Sequence, residues 1–332
     1  MTGTAPPRLL RVAVAGAGII ARVHLANLAA IEGVAVSGVA DLDEARARDA
    51  APAGARVLAR AEQLLDDAPD ALVVCLPAFA RGALVERAAA AGVHVFVEKP
   101  AALALDEARR ALAAVEGAGV VAAVGHMWRS TAAARAMRAA LDGVPHALSG
   151  RLLNTPPGPA WSFDEGLSGG LLVEFGSHLL DAMRAVGGEV VQVSGAGAGV
   201  LPDPGGRRGP DTAMLSLRFA SGAAGSAQVS WAHQGAAWDL LALAPRGALA
   251  WQLGPERLEG FATAEPDPPP GPWHGFGGPS WHAAMAGFVA AIREGAPGTV
   301  ACTYRDAAGT LALALAARDA MRTGKTVEVE AL

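Results

Sequence analysis

The chain has only two cysteines, Cys75 and Cys302, far apart and without the paired spacing of a zinc site. That scarcity argues against a disulfide scaffold and a metal site, and it fits a reducing cytoplasm. Cys75 lies in the apolar run 71–77, so it reads as a buried, inert thiol. There is no basic block that would bind nucleic acid or an anionic membrane; the net charge is −5, with both signs spread along the chain. No stretch reaches the roughly 18 uninterrupted apolar residues of a membrane span. No signal peptide is expected, because Pro6, Pro7, Arg8 and Arg11 precede an apolar run that goes straight into a glycine turn.

What the chain does have is apolar content, 52% of 332 residues. That is enough for a large core and, at roughly 100–200 residues per domain, for two domains. Residues 9–124 alternate short apolar strands (10–15, 35–40, 56–58, 71–76, 93–97, 120–124) with helices (19–32, 44–50, 61–67, 80–91, 106–117). This pattern predicts an α/β domain over residues 1–124 with a doubly wound parallel sheet of the Rossmann type. After Gly125 the rhythm changes. Helices are expected at 131–141 and 170–186, with a strand at 146–153 between them. Strands then follow one another at 190–194, 212–219, 223–231, 238–244 and 248–252. Helices at 280–293 and 304–323 and a strand at 326–330 close the chain. Consecutive strands predict an α+β domain over residues 125–332, built on an open, mainly antiparallel or mixed sheet.

Gly16-Ala17-Gly18-Ile19-Ile20-Ala21 follows a strand and opens a helix. In that setting the G-x-G-x-x-A pattern is a dinucleotide fingerprint. The first glycine permits the tight turn, the second lets backbone approach a diphosphate, and Ala21 lets helix and strand pack closely. The diphosphate would rest on unpaired N–H groups at the helix N-terminus. Asp41 ends the second strand, where its carboxylate can accept from a ribose 2′-OH. An acid there favours NAD, with NADP the alternative if Arg46 and Arg48 reorganise the pocket.

Glu98-Lys99-Pro100 stands at the C-terminal end of a parallel strand, the edge where open α/β sheets bind ligands. A lysine beside an oxidised nicotinamide would feel a positive neighbour and partial burial, and both suit it to proton transfer. The tripeptide alone is equally compatible with a surface ion pair. In the helix expected at 170–186, Glu174, Ser177, His178 and Asp181 fall within about 100° of one face, opposite Leu172, Phe175, Leu179 and Met183. Periodicity alone also accommodates a solvated face. Gly169 and Gly170 ahead of it point to a close backbone approach.

Taken in order, these motifs resemble the glucose–fructose oxidoreductase / inositol dehydrogenase / rhizopine-catabolism (Gfo/Idh/MocA) family over nearly the whole chain. The resemblance rests on the glycine turn with His24 after it, Val39-Ala40-Asp41, and the stretch 91–100 ending in Glu98-Lys99-Pro100. It continues through 169–181 to the last helix before Gly324-Lys325. It implies a Rossmann domain, a substrate domain whose open sheet forms homodimers or homotetramers, and hydride transfer between NAD(P) and a carbinol or carbonyl carbon of a sugar, cyclitol or similar molecule. By position, Lys99 would polarise the reacting oxygen, His178 would be the acid/base, and Glu174 would stand where the family commonly has Asp. Asp181 would be a structural partner. The implied cofactor contacts are Gly16, Gly18, Ile19, Ile20, Ala21, Asp41, Leu76, Pro77, Glu98 and Lys99. The implied substrate contacts are Lys99, Arg129, Trp161, Glu174 and His178. Trp128, Trp273, His274 and Trp281 are further candidates for the pocket, along with loops 155–168, 200–211 and 264–280. Arg81 stands where the family often has His. Two other outcomes fit the same motifs: a hydrolase or lyase that oxidises its substrate transiently, and a non-catalytic dinucleotide sensor.

Overall fold

The computed structural model describes residues 9–155, 158–203, 206, 209–253, 256–264 and 278–332. Near-continuous apolar strands pair in parallel as a six-stranded sheet, in the order β3-β2-β1-β4-β5-β6. The strands are β1 (Leu10–Ala15), β2 (Val34–Ala40), β3 (Arg56–Leu58), β4 (Ala71–Val74), β5 (His94–Val97) and β6 (Ala122–Val124). Helices α1 (Ile19–Ala29), α2 (Glu44–Ala50), α3 (Leu84–Ala90) and α4 (Leu105–Ala118) alternate with them. The helix expected at 80–91 is shortened. Residues Ala78–Ala80 form a 3₁₀ turn, and Gly82, with φ +50°, separates it from α3. The order of strands, with β1 next to both β2 and β4, is that of a doubly wound sheet.

The expected α+β domain is built on an eight-stranded mixed sheet, ordered β13-β12-β11-β7-β10-β9-β8-β14. Its strands are β7 (Ala147–Leu153), β8 (Val190–Ala198), β9 (Thr212–Phe219), β10 (Ala224–Ser230), β11 (Ala237–Ala244), β12 (Gly247–Leu253), β13 (Glu256–Gly260) and β14 (Val327–Glu328). Only the β7–β10 pair is parallel among the described pairings of this sheet. Its helices are α5 (Ala132–Leu141), α6 (Glu165–Ser168), α7 (Ser177–Gly187) and α9 (Tyr304–Thr323). The strands alternate buried and exposed side chains, as β9 shows most regularly, so one face is core and the other is open. Gly150 lets α7 lie directly on the sheet: a Cβ there would fall 2.6 Å from the Leu179 side chain.

The described residues fall into two compact units. One comprises Met1–Glu98, Arg110–Gly125 and Pro269–Thr303; the other comprises Lys99–Arg109, His126–Pro268 and Tyr304–Leu332. A single cut after residue 124 would place α8 (Gly278–Glu294) with the second sheet, yet it packs in the first unit. The reason is apolar burial. Met285, Phe288 and Val289 join the same core as Val12, Leu28 and Phe96, with Phe288 set edge-on to Phe96 at 5.7 Å.

Candidate active site

The glycine turn has the geometry a dinucleotide needs. Gly16 takes φ +99°, and a Cβ there would lie 3.1 Å from the Cys75 carbonyl. Gly18 has open space where its Cβ would be, and the first turn of α1 carries neither a side-chain cap nor an acid. Ile19 is 81% exposed beside it, an apolar side chain held out at a helix N-terminus. Ala21 is fully buried against the sheet. Asp41 accepts from the Ala17 and Asp43 N–H groups, each at 2.9 Å, so its carboxylate braces the turn from the end of β2. Arg46 Nη1 stands 3.8 Å from the same carboxylate, which keeps acceptor capacity for a diol beyond its two N–H bonds. Uncapped N–H groups, a cradle that a Cβ would fill and an acid at the end of β2 together fit NAD.

Leu76 and Pro77 are partly exposed just beyond β4. Arg81 is buried and its Nε donates to the Leu76 carbonyl at 2.9 Å. The residue that departs from the family pattern thus props the loop where the cofactor contacts were expected. Cys75 is not accessible as a free thiolate: burial, and then the Glu98 charge, push its pKa up. Glu98 is itself turned inward. Its carboxylate meets His24 Nε2 at 2.7 Å and lies over Gly125, where any Cβ would come within 2.7 Å of it. The sequence marked both residues; it did not show that α1 and the end of β5 are pinned together by them.

Lys99 begins the second unit and is joined to Pro100 by a cis bond. Its Nζ donates to the Glu174 carbonyl at 2.7 Å and to the Glu174 carboxylate at 2.8 Å. Both side chains are 16% exposed, so the pair is shielded but reachable. The backbone makes this possible. The helix expected at 170–186 has a π-helical first part, Leu171–Gly176, before α7 begins at Ser177. A π turn takes carbonyls out of the ordinary i to i+4 ladder, and such turns recur at functional sites. Gly169 and Gly170, at φ +81° and +76°, make the entry, and what they approach closely is their own chain at Val173 and Glu165.

His178 lies one turn further on, partly buried, with its Nδ1 buried and unbonded. Trp128 packs on its ring at 5.3 Å, and His126 meets it edge-on at 6.1 Å. Burial, then the Lys99 and His126 charges, lower the His178 pKa well below its ordinary value; Asp181 opposes them. The imidazole is therefore neutral near pH 7 and able to accept a proton. Asp181 is buried, and Ser177 beside it is too, so the stripe is not a solvated face. Burial alone would raise the Asp181 pKa, but Arg129 outweighs it and holds the carboxyl at about 2, with help from His126 and Arg184.

Arg129, expected to meet substrate, is buried and ion-paired to two carboxylates. Its Nε bonds Asp181, which is buried, at 2.7 Å, and its Nη1 lies 3.0 Å from Asp306, which is partly exposed. Trp161 is partly buried in the 3₁₀ turn Ala160–Phe163. Trp281 is on α8 in the first unit, whereas Trp273 and His274 lie outside the described residues. His126 and Trp238 are additions. His126 directly follows the glycine that ends the Rossmann strands, and only packing brings it to His178.

Residues 10–126 match the family model for the Gfo/Idh/MocA oxidoreductases with an NAD-binding Rossmann fold, and residues 128–248 match the family's C-terminal domain. The chain belongs to this family of NAD-binding oxidoreductases. It is 30% identical to the uncharacterized oxidoreductase YrbE of Bacillus subtilis over 63% of each chain. It is 31% identical to myo-inositol 2-dehydrogenase of Thermotoga maritima over 65% of this chain and 67% of that one. With D-apiose dehydrogenase of Paraburkholderia graminis it shares 29% identity over 96% and 90%. Among solved structures, GenD2 from gentamicin A biosynthesis in complex with NAD superposes with a TM-score of 0.84 at 25% identity, covering 100% of this chain and 99% of that one.

Proposed function

We propose that this protein is an NAD-dependent dehydrogenase or reductase acting on a carbinol or carbonyl carbon of a sugar, cyclitol or related small polar molecule. The observation that carries this is the convergence of Lys99, Glu174 and a neutral His178 in one unit, reached by a π turn. The names of the inositol and apiose relatives support the substrate class. Gly16, Gly18, Ile19, Ile20 and Ala21 would hold the diphosphate, Asp41 the adenosine ribose, and Leu76 and Pro77 would flank the cofactor. Bound NAD supplies a two-electron acceptor for the substrate C–H hydride. In oxidation, the Lys99 ammonium stabilises the substrate oxygen as negative charge develops, and His178 takes its proton. In reduction, the same two groups return it. Glu174 holds Lys99 in place through its carbonyl and its carboxylate.

NADH turnover with a panel of polyols and sugars tests this directly. Lys99→Met and His178→Asn should each lower kcat by roughly 10²–10⁴-fold while NAD still binds. Wild-type turnover that survives both substitutions would refute the assignment. NAD binding without turnover of any kind would leave a dinucleotide sensor instead. We also propose a homodimer or homotetramer through the open face of the eight-stranded sheet, where Met214, Leu241 and Leu243 are exposed apolar residues. A cytoplasmic location agrees with two unpaired cysteines, Cys75 and Cys302. No described helix is long and apolar enough to cross a membrane.

A further inference from the structure

We infer that Thr310 is a positioning residue for the acid/base: its hydroxyl keeps the Asp181 carboxylate turned away from the His178 imidazole. This rests on the proposed role of His178. α9 is rich in alanine and leucine, and Ala307, Ala308, Leu311 and Ala314 are buried on it. Thr310 stands among them at 1% exposure, where a hydroxyl costs stability unless it is bonded. Its partners fix the direction of its proton. Arg184 Nη1, which can only donate, lies 2.7 Å from Thr310 Oγ1. The ionised Asp181 carboxylate can only accept, and its Oδ1 lies 2.8 Å away. The Asp306 carbonyl is the longer alternative, at 3.3 Å. Thr310 therefore accepts from Arg184 and donates to Asp181. Arg184 is anchored for this by Glu189, to which its Nε and Nη2 donate at 3.1 and 2.7 Å. Gly309 makes room, since a Cβ there would strike the Arg184 guanidinium.

The consequence lies on α7. Asp181 follows His178 by three residues, on the same side of the helix. A carboxylate beside an imidazole can bond its Nδ1–H, as the Asp of a Ser-His-Asp triad does. Here each oxygen is claimed elsewhere, Oδ2 by Arg129 Nε at 2.7 Å and Oδ1 by Thr310. The His178 Nδ1 is correspondingly buried without a bond. Around His178, Lys99 and His126 disfavour the imidazolium and Asp181 favours it, while Glu174 on the preceding π turn is paired with Lys99. Around Asp181 stand Arg129, His126, Arg184 and Arg138, with Asp306 on the far side of Arg129. Removing the Thr310 hydroxyl leaves Oδ1 without its donor. The Asp181 charge is then less neutralised at the imidazole, and Oδ1 is released toward Nδ1. Both effects stabilise the imidazolium, so protonation of His178 moves to higher pH.

The test compares wild type, Thr310→Val and Thr310→Ser as NAD-loaded protein. Valine matches threonine in shape and lacks the hydroxyl; serine keeps it. In oxidation, the acid limb of kcat should move up by about one pH unit in Thr310→Val and stay within about 0.2 unit of wild type in Thr310→Ser. KM should change less than about twofold, because the buried Thr310 touches no substrate. A limb that stays or falls in Thr310→Val, or rises equally in Thr310→Ser, would overturn the inference. So would a loss of kcat by the same factor at every pH, which marks a structural role alone. Thr310→Ala removes the same hydroxyl without adding bulk and carries the same expectation should the valine variant not fold. A second measurement does not need turnover. The Cε1–H proton resonance of His178, identified by its absence in His178→Asn, should titrate about one pH unit higher in Thr310→Val than in wild type. An unmoved titration would also overturn it. If wild type oxidises nothing in the polyol panel, the hydride-transfer reading fails, and this titration still decides what Thr310 does to His178.

Discussion

Lys99 and Lys325 are the lysines of a chain whose 27 basic residues are otherwise arginine. An ammonium is therefore kept at 99 against a strong bias toward guanidinium. Its compact head can bond a carbonyl and a carboxylate of one residue, Glu174, where a planar fork would not fit. Lys99→Arg should lower kcat by roughly 100-fold despite keeping the charge, as steady-state kinetics would show. His178 gives a pH prediction whose sign follows from its role. The neutral imidazole accepts the proton in oxidation, so activity should be flat near neutrality and fall as pH drops through a pKa below 6.5. An acid limb centred above 6.5 would count against His178 as the base. The two glycines of the turn separate packing from binding. Gly16→Ala forces a side chain into φ +99° and against Cys75, and should cost roughly 1–3 kcal/mol in denaturant melts. Gly18→Ala meets nothing, so stability should stay within about 0.5 kcal/mol of wild type. NAD affinity of that variant should nevertheless fall by about tenfold in calorimetry, because the new methyl fills the diphosphate cradle.

At the scale of elements, α7 is held from behind as carefully as the site is shaped in front. Asp181 on α7 bonds Arg129 and also accepts from Thr310 on α9 at 2.8 Å. Arg129 in turn meets Asp306 on α9. Removing the carboxylate leaves a buried guanidinium with one partner fewer, so Asp181→Asn should cost about 3 kcal/mol of unfolding free energy. The pH sign is that of a depressed acid. Asp181 holds its proton at about 2 in the folded chain against an ordinary 3.8. Its contribution to stability is complete above the ordinary value and is lost as pH falls through about 2, which acid melts would record. Periodicity made the stripe of Glu174, Ser177, His178 and Asp181 legible, since ordinary helical spacing nearly brings the four together. It did not reveal the π turn, because its sequence carries the same apolar spacing as an α-helix. The π turn follows Gly169 and Gly170, both at positive φ, and Lys99 donates to the Glu174 carbonyl within it.

For the whole molecule, the open face of the second sheet is the feature with a consequence in solution. Met214 on β9 and Leu241 and Leu243 on β11 stand out among its exposed side chains. Sedimentation velocity should find wild type as a dimer or tetramer, and Leu241→Lys with Leu243→Lys should release monomers that still bind NAD. Wild type sedimenting as a monomer would remove the proposal. The division of the chain is the other large-scale feature. Strand and helix order predicts two folds in sequence, while compactness returns α8 to the first unit and assigns 99–109 to the second.

The sequence by itself determined the parallel sheet and the glycine turn with Asp41, because each depends on local spacing and on residue type; it singled out Lys99 and His178 only through the family resemblance. It could not show that Arg129 pairs with Asp181 and Asp306, since those partners meet it only once α7 and α9 are packed. Nor could it find His126, which reaches His178 from a distant segment, or Trp238, which β11 sets against Trp128. The tertiary structure decided those, because burial and ring contact between residues far apart in the chain exist only once the sheet and its helices have closed on each other.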